Sequence, residues 1–209
     1  MTTYKVHFPP RGLHDSDGQE RPRGGINYLN AKTQRWPVYD LQGEFAIHER
    51  IEYPLSSKPR KDLRWRHADG RLSRNGEISG RDRVYGLERV DGQRQGLLVE
   101  GEKCVDAAGR VLPSTWLVAG TVCGAASIPE EDVLDRLALI PRWFLWPDAD
   151  ANGRGQEHMD RIAAYMKGRC EVRTVIWHTA PPGGDVADYL RNHSRAELIA
   201  LLRDAEPVK

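Results

Sequence analysis

Acidic side chains occur at three places in the second half of the sequence. Glu100 follows a short apolar run, Asp148 and Asp150 follow another, and Asp185 and Asp188 come after a Gly-Gly dipeptide. Acids at the C-terminal ends of neighbouring parallel strands converge on one edge of a sheet, where α/β folds place their sites. Oxygen ligands gathered at such an edge suit Mg²⁺ or Mn²⁺, and those ions suit phosphate chemistry.

From Gln95 onward the sequence alternates between patterns that are typical of strands and of helices. Short apolar runs predict strands at 96–99, 116–119, 142–146 and 171–177. The segments between and after them predict helices at 103–109, 129–139, 155–167, 185–192 and 195–203. Ser127 and Ser194 are the expected N-caps of the second and the last of these helices. Such alternation predicts an α/β fold in which a mainly parallel sheet is flanked by helices.

The chain has 209 residues, enough for one full domain and a small accessory one. Residues 1–35 are polar and rich in Gly, Arg and Pro, which predicts a loop-rich or partly disordered arm. Residues 36–94 hold about four strand candidates separated by glycine turns, including a hairpin around Gly43, and predict a small β-rich subdomain. Residues 95–209 carry all three acidic segments and form the predicted catalytic domain.

The distribution of charge is more informative than its sum. Lys and Arg total 31 against 30 for Asp and Glu, a net charge of +1 that by itself predicts no nucleic-acid partner. Residues 58–83, however, contain nine basic residues and only four acidic ones. This basic stretch either holds the phosphates of a nucleic acid or nucleotide, or lines a solvated hairpin edge where cations block aggregation. The candidates for phosphate binding are Lys58, Lys61, Arg64 and Arg66.

The positions of basic residues within a predicted strand and a predicted helix give two further expectations. Alternation along a strand places Arg64 and Arg66 on one face and Trp65 on the other, towards the core, although Trp65 on an open face would stack on a base. Lys103 starts a predicted helix beside Glu100, and either binds phosphate or pairs with Glu102.

The cysteine and histidine content argues against a zinc site. There are three cysteines and no Cys-x-x-Cys pair, so neither a disulfide framework nor a cysteine zinc site is expected. The histidines show no ligand spacing. His158 could reach a phosphate from the helix that follows the Asp pair, but a position on the surface of that helix is expected. No signal peptide or membrane-length apolar run is present, which favours a cytoplasmic protein without a membrane partner.

Three segments resemble the acidic motifs of TOPRIM domains in DnaG-type primases, specifically the toprim-like primases of phages and mobile elements. They are VEGEK at 99–103, DADANG at 148–153 and GDVAD at 184–188. The segment 84–87 is similar to the linker motif that precedes the glutamate strand in this family. The resemblance covers about residues 38–203.

This resemblance implies a primase-type nucleotidyltransferase that makes short primers from NTPs on single-stranded DNA. In the family, metal ions hold the triphosphate while a 3′ hydroxyl attacks the α-phosphorus. The glutamate matching Glu100 acts near the metals and assists proton transfer, and the pair matching Asp148 and Asp150 binds metal. The pair matching Asp185 and Asp188 completes the acidic cluster as further metal ligands. Asp185 is favoured to face the site and Asp188 to be partly structural, although on the residues alone Asp185 could instead N-cap its helix.

The sequence departs from the family pattern in two ways. It contains neither a Cys/His zinc module nor a P-loop. Either template recognition lies on another chain, such as a zinc-binding primase module or a helicase, or the protein is a catalytic remnant. The aspartate that often follows the motif glutamate by four residues is replaced by Cys104, with Asp106 nearby.

Two alternatives of different classes stay open. The same carboxylates can activate water, which fits a metal-dependent TOPRIM nuclease. A non-catalytic nucleic-acid-binding partner of a replicative helicase is the second alternative. A topoisomerase is disfavoured because the chain is too short to supply a tyrosine nucleophile on a separate domain.

Overall fold

The computed structural model describes residues 30–54, 60–74 and 76–208, with the side chain of Arg60 excepted. The strands are β1 (Lys32–Tyr39), β2 (Phe45–Tyr53), β3 (Arg60–Arg66), β4 (Val84–Tyr85), β5 (Gln95–Glu100), β6 (Trp116–Thr121), β7 (Arg142–Leu145), β8 (Glu171–Thr174) and β9 (Glu206–Pro207). The helices are α1 (Glu102–Gly109), α2 (Glu131–Leu137), α3 (Arg154–Met166), α4 (Val186–Asn192) and α5 (Arg195–Arg203), and a 3₁₀ helix spans Leu87–Arg89. The described residues fall into two compact units, 34–49 with 63–208, and 30–33 with 50–54 and 60–62.

A six-stranded sheet forms the centre of the larger unit, in the order β4-β6-β5-β7-β8-β9. Strands β5, β6, β7 and β8 are parallel, whereas the short edge strands β4 and β9 are antiparallel to their neighbours. Leu98 of β5 is in register with Ala119 of β6 and Leu145 of β7. The α/β fold with a mainly parallel sheet that the sequence predicts is confirmed.

Helices cover both faces of this sheet, which explains why its central strands are continuously apolar. On one face, Leu98 packs with buried residues of α2 and α3, among them Leu134 and Ile162. On the other face, Leu97 and its neighbours pack with α1, α4 and α5, whose buried residues include Leu198. Among the described residues, no helix combines the length and apolar character that crossing a bilayer requires.

A three-stranded antiparallel sheet, β1-β2-β3, precedes the central sheet in sequence. The predicted hairpin turn joins β1 to β2, where the Asp40 carboxylate accepts from the amides of Gln42 and Glu44, and Gly43 adopts φ 81°. Strand β1 begins at Lys32, inside the segment that the sequence predicts to be an arm. Residues 1–29 of that arm lie outside the described residues.

Several element boundaries differ from the predicted ones for local reasons. Helix α2 is N-capped by Glu130 rather than Ser127, whose hydroxyl instead donates to the Cys123 carbonyl. Strand β6 extends to Thr121, and the strand predicted to reach residue 177 ends at Thr174. The prediction for α5 is confirmed, since Ser194 caps it through a reciprocal capping box with Glu197.

Candidate active site

The C-terminal ends of the parallel strands meet at one edge of the central sheet. Glu100 is the last residue of β5 and is in register with Thr121, the last residue of β6. The loop after β7 returns to this edge, where the Asp148 amide donates to Glu100 Oε1 at 3.4 Å. The first and second acidic segments therefore lie side by side, as parallel strand ends require.

The third acidic segment is joined to the second by backbone hydrogen bonds. The Ala149 amide donates to the Gly184 carbonyl at 2.9 Å, and the Gly183 amide donates to the Ala149 carbonyl at 2.7 Å. This pairing places the loop that precedes α4 alongside the loop that carries Asp148 and Asp150. All three predicted segments thus lie at the same edge.

Helix α3 begins against the same carboxylate, through a contact that only glycine allows. A Cβ atom added to Gly155 would lie 2.4 Å from the Asp148 carbonyl oxygen and 2.9 Å from Glu100 Oε1. Gly155 is buried, so its missing side chain lets the first turn of α3 approach both acids. Nothing in the sequence singles out Gly155, because a glycine at the start of a helix has no distinctive local signal.

Burial and neighbouring charge disfavour the ionised form of Glu100. Burial raises the pKa of the Glu100 carboxyl above its ordinary value, and the negative charge of Asp150 raises it further. The hydrogen bond from the Asp148 amide acts in the opposite direction. A half-buried carboxylate next to a second acid is a position at which a cation would relieve repulsion.

The third acidic pair makes contacts within its own helix. Asp185 is the N-cap of α4, and its Oδ1 accepts from the Asp188 amide at 2.8 Å. Asp188 forms an ion pair with Arg191 at 2.8 Å. The capping role that the sequence left open for Asp185 is therefore present.

Cys104 lies close to two of the acidic segments, which the sequence analysis did not foresee. Burial raises the pKa of its thiol well above the ordinary value, and the negative charges of Asp185 and Asp148 add to this effect. The thiol is therefore protonated at neutral pH and lies close to Asp185. Cys104 thus places a neutral thiol at the position where an aspartate was expected from the family pattern.

The chemistry of these donors suits a hard cation, although they do not form a complete cage. Within residues 30–54, 60–74 and 76–208, no three His, Cys, Asp or Glu side chains are grouped closely enough to hold a metal ion. Mg²⁺ commonly uses one or two protein carboxylates and takes its other ligands from water and substrate phosphates. Glu100, Asp148 and Asp150 supply oxygen donors of that kind at the sheet edge.

The predicted basic residues are organised around a buried acid, Glu49. The Glu49 carboxylate accepts from Arg35 Nε at 2.7 Å and Arg66 Nε at 3.1 Å on Oε1, and from Arg64 Nε on Oε2. Its side chain has an exposure of 0%, whereas that of Arg35 is 50% exposed. We refer to Arg35, Glu49, Arg64 and Arg66 as the arginine cluster. Arg35 is a member that the sequence analysis missed.

The two faces of β3 differ as strand alternation predicts. Arg64 and Arg66 both contact Glu49, whereas Trp65 stacks on His48 with ring centroids 4.4 Å apart. Lys61 is exposed on the same strand, and Lys58 lies outside the described residues. Lys103 is half-buried in the first turn of α1, three residues after Glu100.

The expectation that His158 is a surface residue is wrong. His158 is fully buried, with an exposure of 0%, because α3 turns this residue towards β6. Its Nε2 lies 3.0 Å from the Thr121 hydroxyl oxygen. Burial lowers the pKa of His158 to about 4, with a further contribution from the charge of Arg161. His158 is therefore neutral at physiological pH and does not supply a positive charge for phosphate.

Comparisons with known proteins identify the fold through solved structures. No protein-family model matches the sequence, and no curated protein matches it. A DNA primase domain from Pseudomonas aeruginosa matches with a TM-score of 0.60 and 18% identity, covering 94% of this chain and 57% of that chain. The DnaG primase catalytic domain bound to ssDNA matches at 0.60 and 15%, covering 94% and 58%. The E. coli primase catalytic core matches at 0.58 and 17%, covering 93% and 57%.

At these identities the comparisons show the fold. The chain shares the mainly parallel sheet, the flanking helices and the preceding antiparallel sheet of DnaG primase catalytic cores. It spans a little more than half the length of those primase chains.

Proposed function

We propose that the chain is a primase-type nucleotidyltransferase that makes short primers on single-stranded DNA in a metal-dependent reaction. The observation that carries the proposal is the convergence of three acidic segments on one sheet edge, in a chain with the fold of primase catalytic cores. An edge of this kind is where α/β proteins carry out phosphate chemistry. The similarity to the toprim-like primases of phages and mobile elements supports a replication system of that type.

In this proposal Glu100, Asp148 and Asp150 hold Mg²⁺ or Mn²⁺, with Asp185 and Asp188 at the margin of the site. When bound, the ion neutralises charge on the triphosphate and on the leaving pyrophosphate. The resemblance also gives Glu100 a part in proton transfer, so in this proposal its carboxylate would accept a proton from the attacking 3′ hydroxyl.

The positive side chains have two proposed tasks. Lys103, three residues after Glu100, would bind the nucleotide phosphates. Arg64 and Arg66, with Arg35 from the same cluster, bind phosphates of the template, and Lys58 and Lys61 extend this basic stretch. The charge of Glu49 cancels one of the three guanidinium charges, so the arginine cluster retains a positive excess for a polyanion.

The same proposal implies substrates, partner chains and a division of roles between the two segments of the chain. The substrates are NTPs and a single-stranded DNA template, and the DnaG catalytic domain in one matching structure is bound to ssDNA. A zinc-binding primase module or a helicase on another chain would supply template recognition. We propose that residues 36–94 contribute to template binding and that residues 95–209 carry the reaction.

Primer synthesis on mixed-sequence single-stranded DNA, with labelled NTPs and Mg²⁺ or Mn²⁺, tests this proposal. We expect short products from the wild type and a loss of about a hundredfold or more in the Asp148→Ala/Asp150→Ala variant, since both donors of the second segment are removed. Asp160→Ala is the matched control, because this aspartate is exposed on α3 and its side chain bonds only Gln156 among the described residues. Its product yield should equal that of the wild type.

The same assay separates the alternatives. Full activity in the double variant would contradict the metal-site assignment. Degradation of the template by the wild type alone would assign a nuclease. Intact template with no product, together with retained binding to single-stranded DNA, would favour the non-catalytic role.

A further inference from the structure

A buried acid–base pair links β2 to the first residue of α1. His48 Nδ1 is hydrogen-bonded to Glu102 Oε1, and each residue is only 6% exposed. Because a carboxylate can only accept, Nδ1 carries the proton and is the donor. The indole ring of Trp65 stacks on the imidazole, with an interplanar angle of 26°, and so fixes the plane of the ring.

The free energy of folding alone does not favour burying this pair. Removing two ionisable groups from water opposes folding, and well-packed apolar residues of similar size commonly stabilise a protein as much or more. A buried pair of this kind does, however, specify one geometry, because each partner is unsatisfied in any other arrangement. The residues next to the pair therefore indicate which part of the structure its geometry fixes.

Glu102 lies two residues after Glu100, with only Gly101 between them. Gly101 adopts φ 75° and is the N-cap of α1, which has no side-chain cap. The Gly101 amide donates to the Thr121 carbonyl at 3.0 Å, so the turn is held by β6 on one side. The contact between His48 and Glu102 holds it on the other.

A second anchor lies one turn further along α1. The Asp106 carboxylate accepts from Trp36 Nε1 at 2.8 Å and from the Tyr85 hydroxyl at 3.1 Å. These bonds orient the middle of the helix. The contact with His48 is the anchor in the first turn, next to Glu100 and Lys103.

We infer that His48 is a positioning residue, which sets the turn that carries Glu100 and Lys103 through its bond to Glu102. The functional part of this inference rests on the proposed metal-dependent function. Loss of the bond should loosen the first turn of α1 and weaken cation binding at the sheet edge, while the second anchor keeps the helix in place.

The experiment compares His48→Leu, His48→Asn and Trp36→Phe in the full chain. Mn²⁺ binding is measured by calorimetry without nucleotide, folding by thermal unfolding, and the turn by hydrogen exchange of the Gly101 amide. We expect His48→Leu to stay folded, to weaken Mn²⁺ binding by about tenfold or more and to speed exchange at Gly101, as removal of an outer-shell partner does at other metal sites. His48→Asn retains a side-chain N–H donor and should recover most of both losses.

Trp36→Phe is the control for a general loosening of α1. It removes the bond from Trp36 to Asp106, so it should lower the melting temperature without changing Mn²⁺ affinity or exchange at Gly101. Unchanged Gly101 exchange in His48→Leu would overturn the inference, as would an Asn variant that behaves like the Leu variant. If the wild type itself binds no Mn²⁺, the proposed metal site fails, and the exchange measurement still decides whether His48 positions the turn.

Discussion

Glu49 shows how a single side chain organises several others. Its carboxylate is fully buried and faces three guanidinium groups, from Arg35, Arg64 and Arg66. Burial raises the pKa of Glu49, but the hydrogen bonds from the arginines outweigh it, and the pKa falls from 4.5 to about 2. The folded state therefore favours the ionised form, and Glu49 stabilises the fold at pH values above its ordinary pKa.

The sign of this pKa shift leads to a prediction at the residue scale. Glu49→Gln should lower the free energy of unfolding by about 2 kcal/mol at pH 7, because charged hydrogen bonds to a buried carboxylate are lost. The gap between variant and wild type should shrink as the pH falls from 4.5 towards 2, where the wild-type carboxyl takes up a proton. Denaturant titrations across this pH range measure the gap.

A neighbour on the same strand provides the control for Glu49. Glu52 pairs with Arg50 at 2.7 Å, and both side chains are partly exposed, at 31% and 26%. Glu52→Gln should change the free energy of unfolding by less than about 1 kcal/mol, as expected for a solvated pair. A gap for Glu49→Gln that stayed constant with pH would contradict the role of the Glu49 charge.

At the scale of elements, the start of α3 determines how closely the first two acidic segments approach. The helix can reach the Asp148 backbone and Glu100 because Gly155 has no side chain. Backbone atoms line the space that a Cβ would fill, so a larger residue cannot be accommodated by a rotamer change. The loop that carries Asp148 would have to move instead.

Gly155→Ala should therefore displace the Asp148 loop and reduce primer synthesis by about a hundredfold, the usual effect of moving a catalytic group by about 1 Å. Gly109→Ala is the matched control, since nothing lies within 4 Å of a Cβ added at Gly109 and its position ends α1. That variant should be as active as the wild type and slightly more stable. Equal activities of the two variants would show that the approach of α3 does not matter to the site.

At the scale of the whole molecule, positive and negative side chains nearly balance in number but are concentrated in different places. The net charge is only +1, yet the acidic segments occupy one sheet edge and the arginine cluster gathers three cations around one anion. An overall balance of this kind predicts weak non-specific attraction to nucleic acid. Local binding by the arginine cluster would still depend steeply on salt.

The salt dependence of binding to single-stranded DNA measures this local contribution. Removing one phosphate contact should reduce the slope of log K against log salt by about 0.7, and we expect this for Arg35→Ala and for Arg64→Ala. Arg142→Ala is the control, because this residue begins β7, at the end of the strand that is remote from the acids, and pairs with Glu171. Identical slopes for all three variants would exclude the arginine cluster from the template site.

Local patterns in the sequence determined much of this protein. Apolar runs marked the central strands, and Ser194 marked the start of α5 because N-capping depends on a local residue type. The three acidic segments were also found from the sequence, because each follows a recognisable strand or glycine pair and parallel strand ends share an edge.

Contacts between distant residues were decided only by the tertiary structure. His48 and Glu102 are 54 positions apart, and His158 and Thr121 are 37 apart, so no periodicity relates either pair. The close approach of Gly155 to Glu100 and the place of Cys104 beside Asp185 likewise depend on how helices pack on the sheet. Periodicity tells which face of an element is buried, but the partner on that face is chosen by the packing of the whole chain.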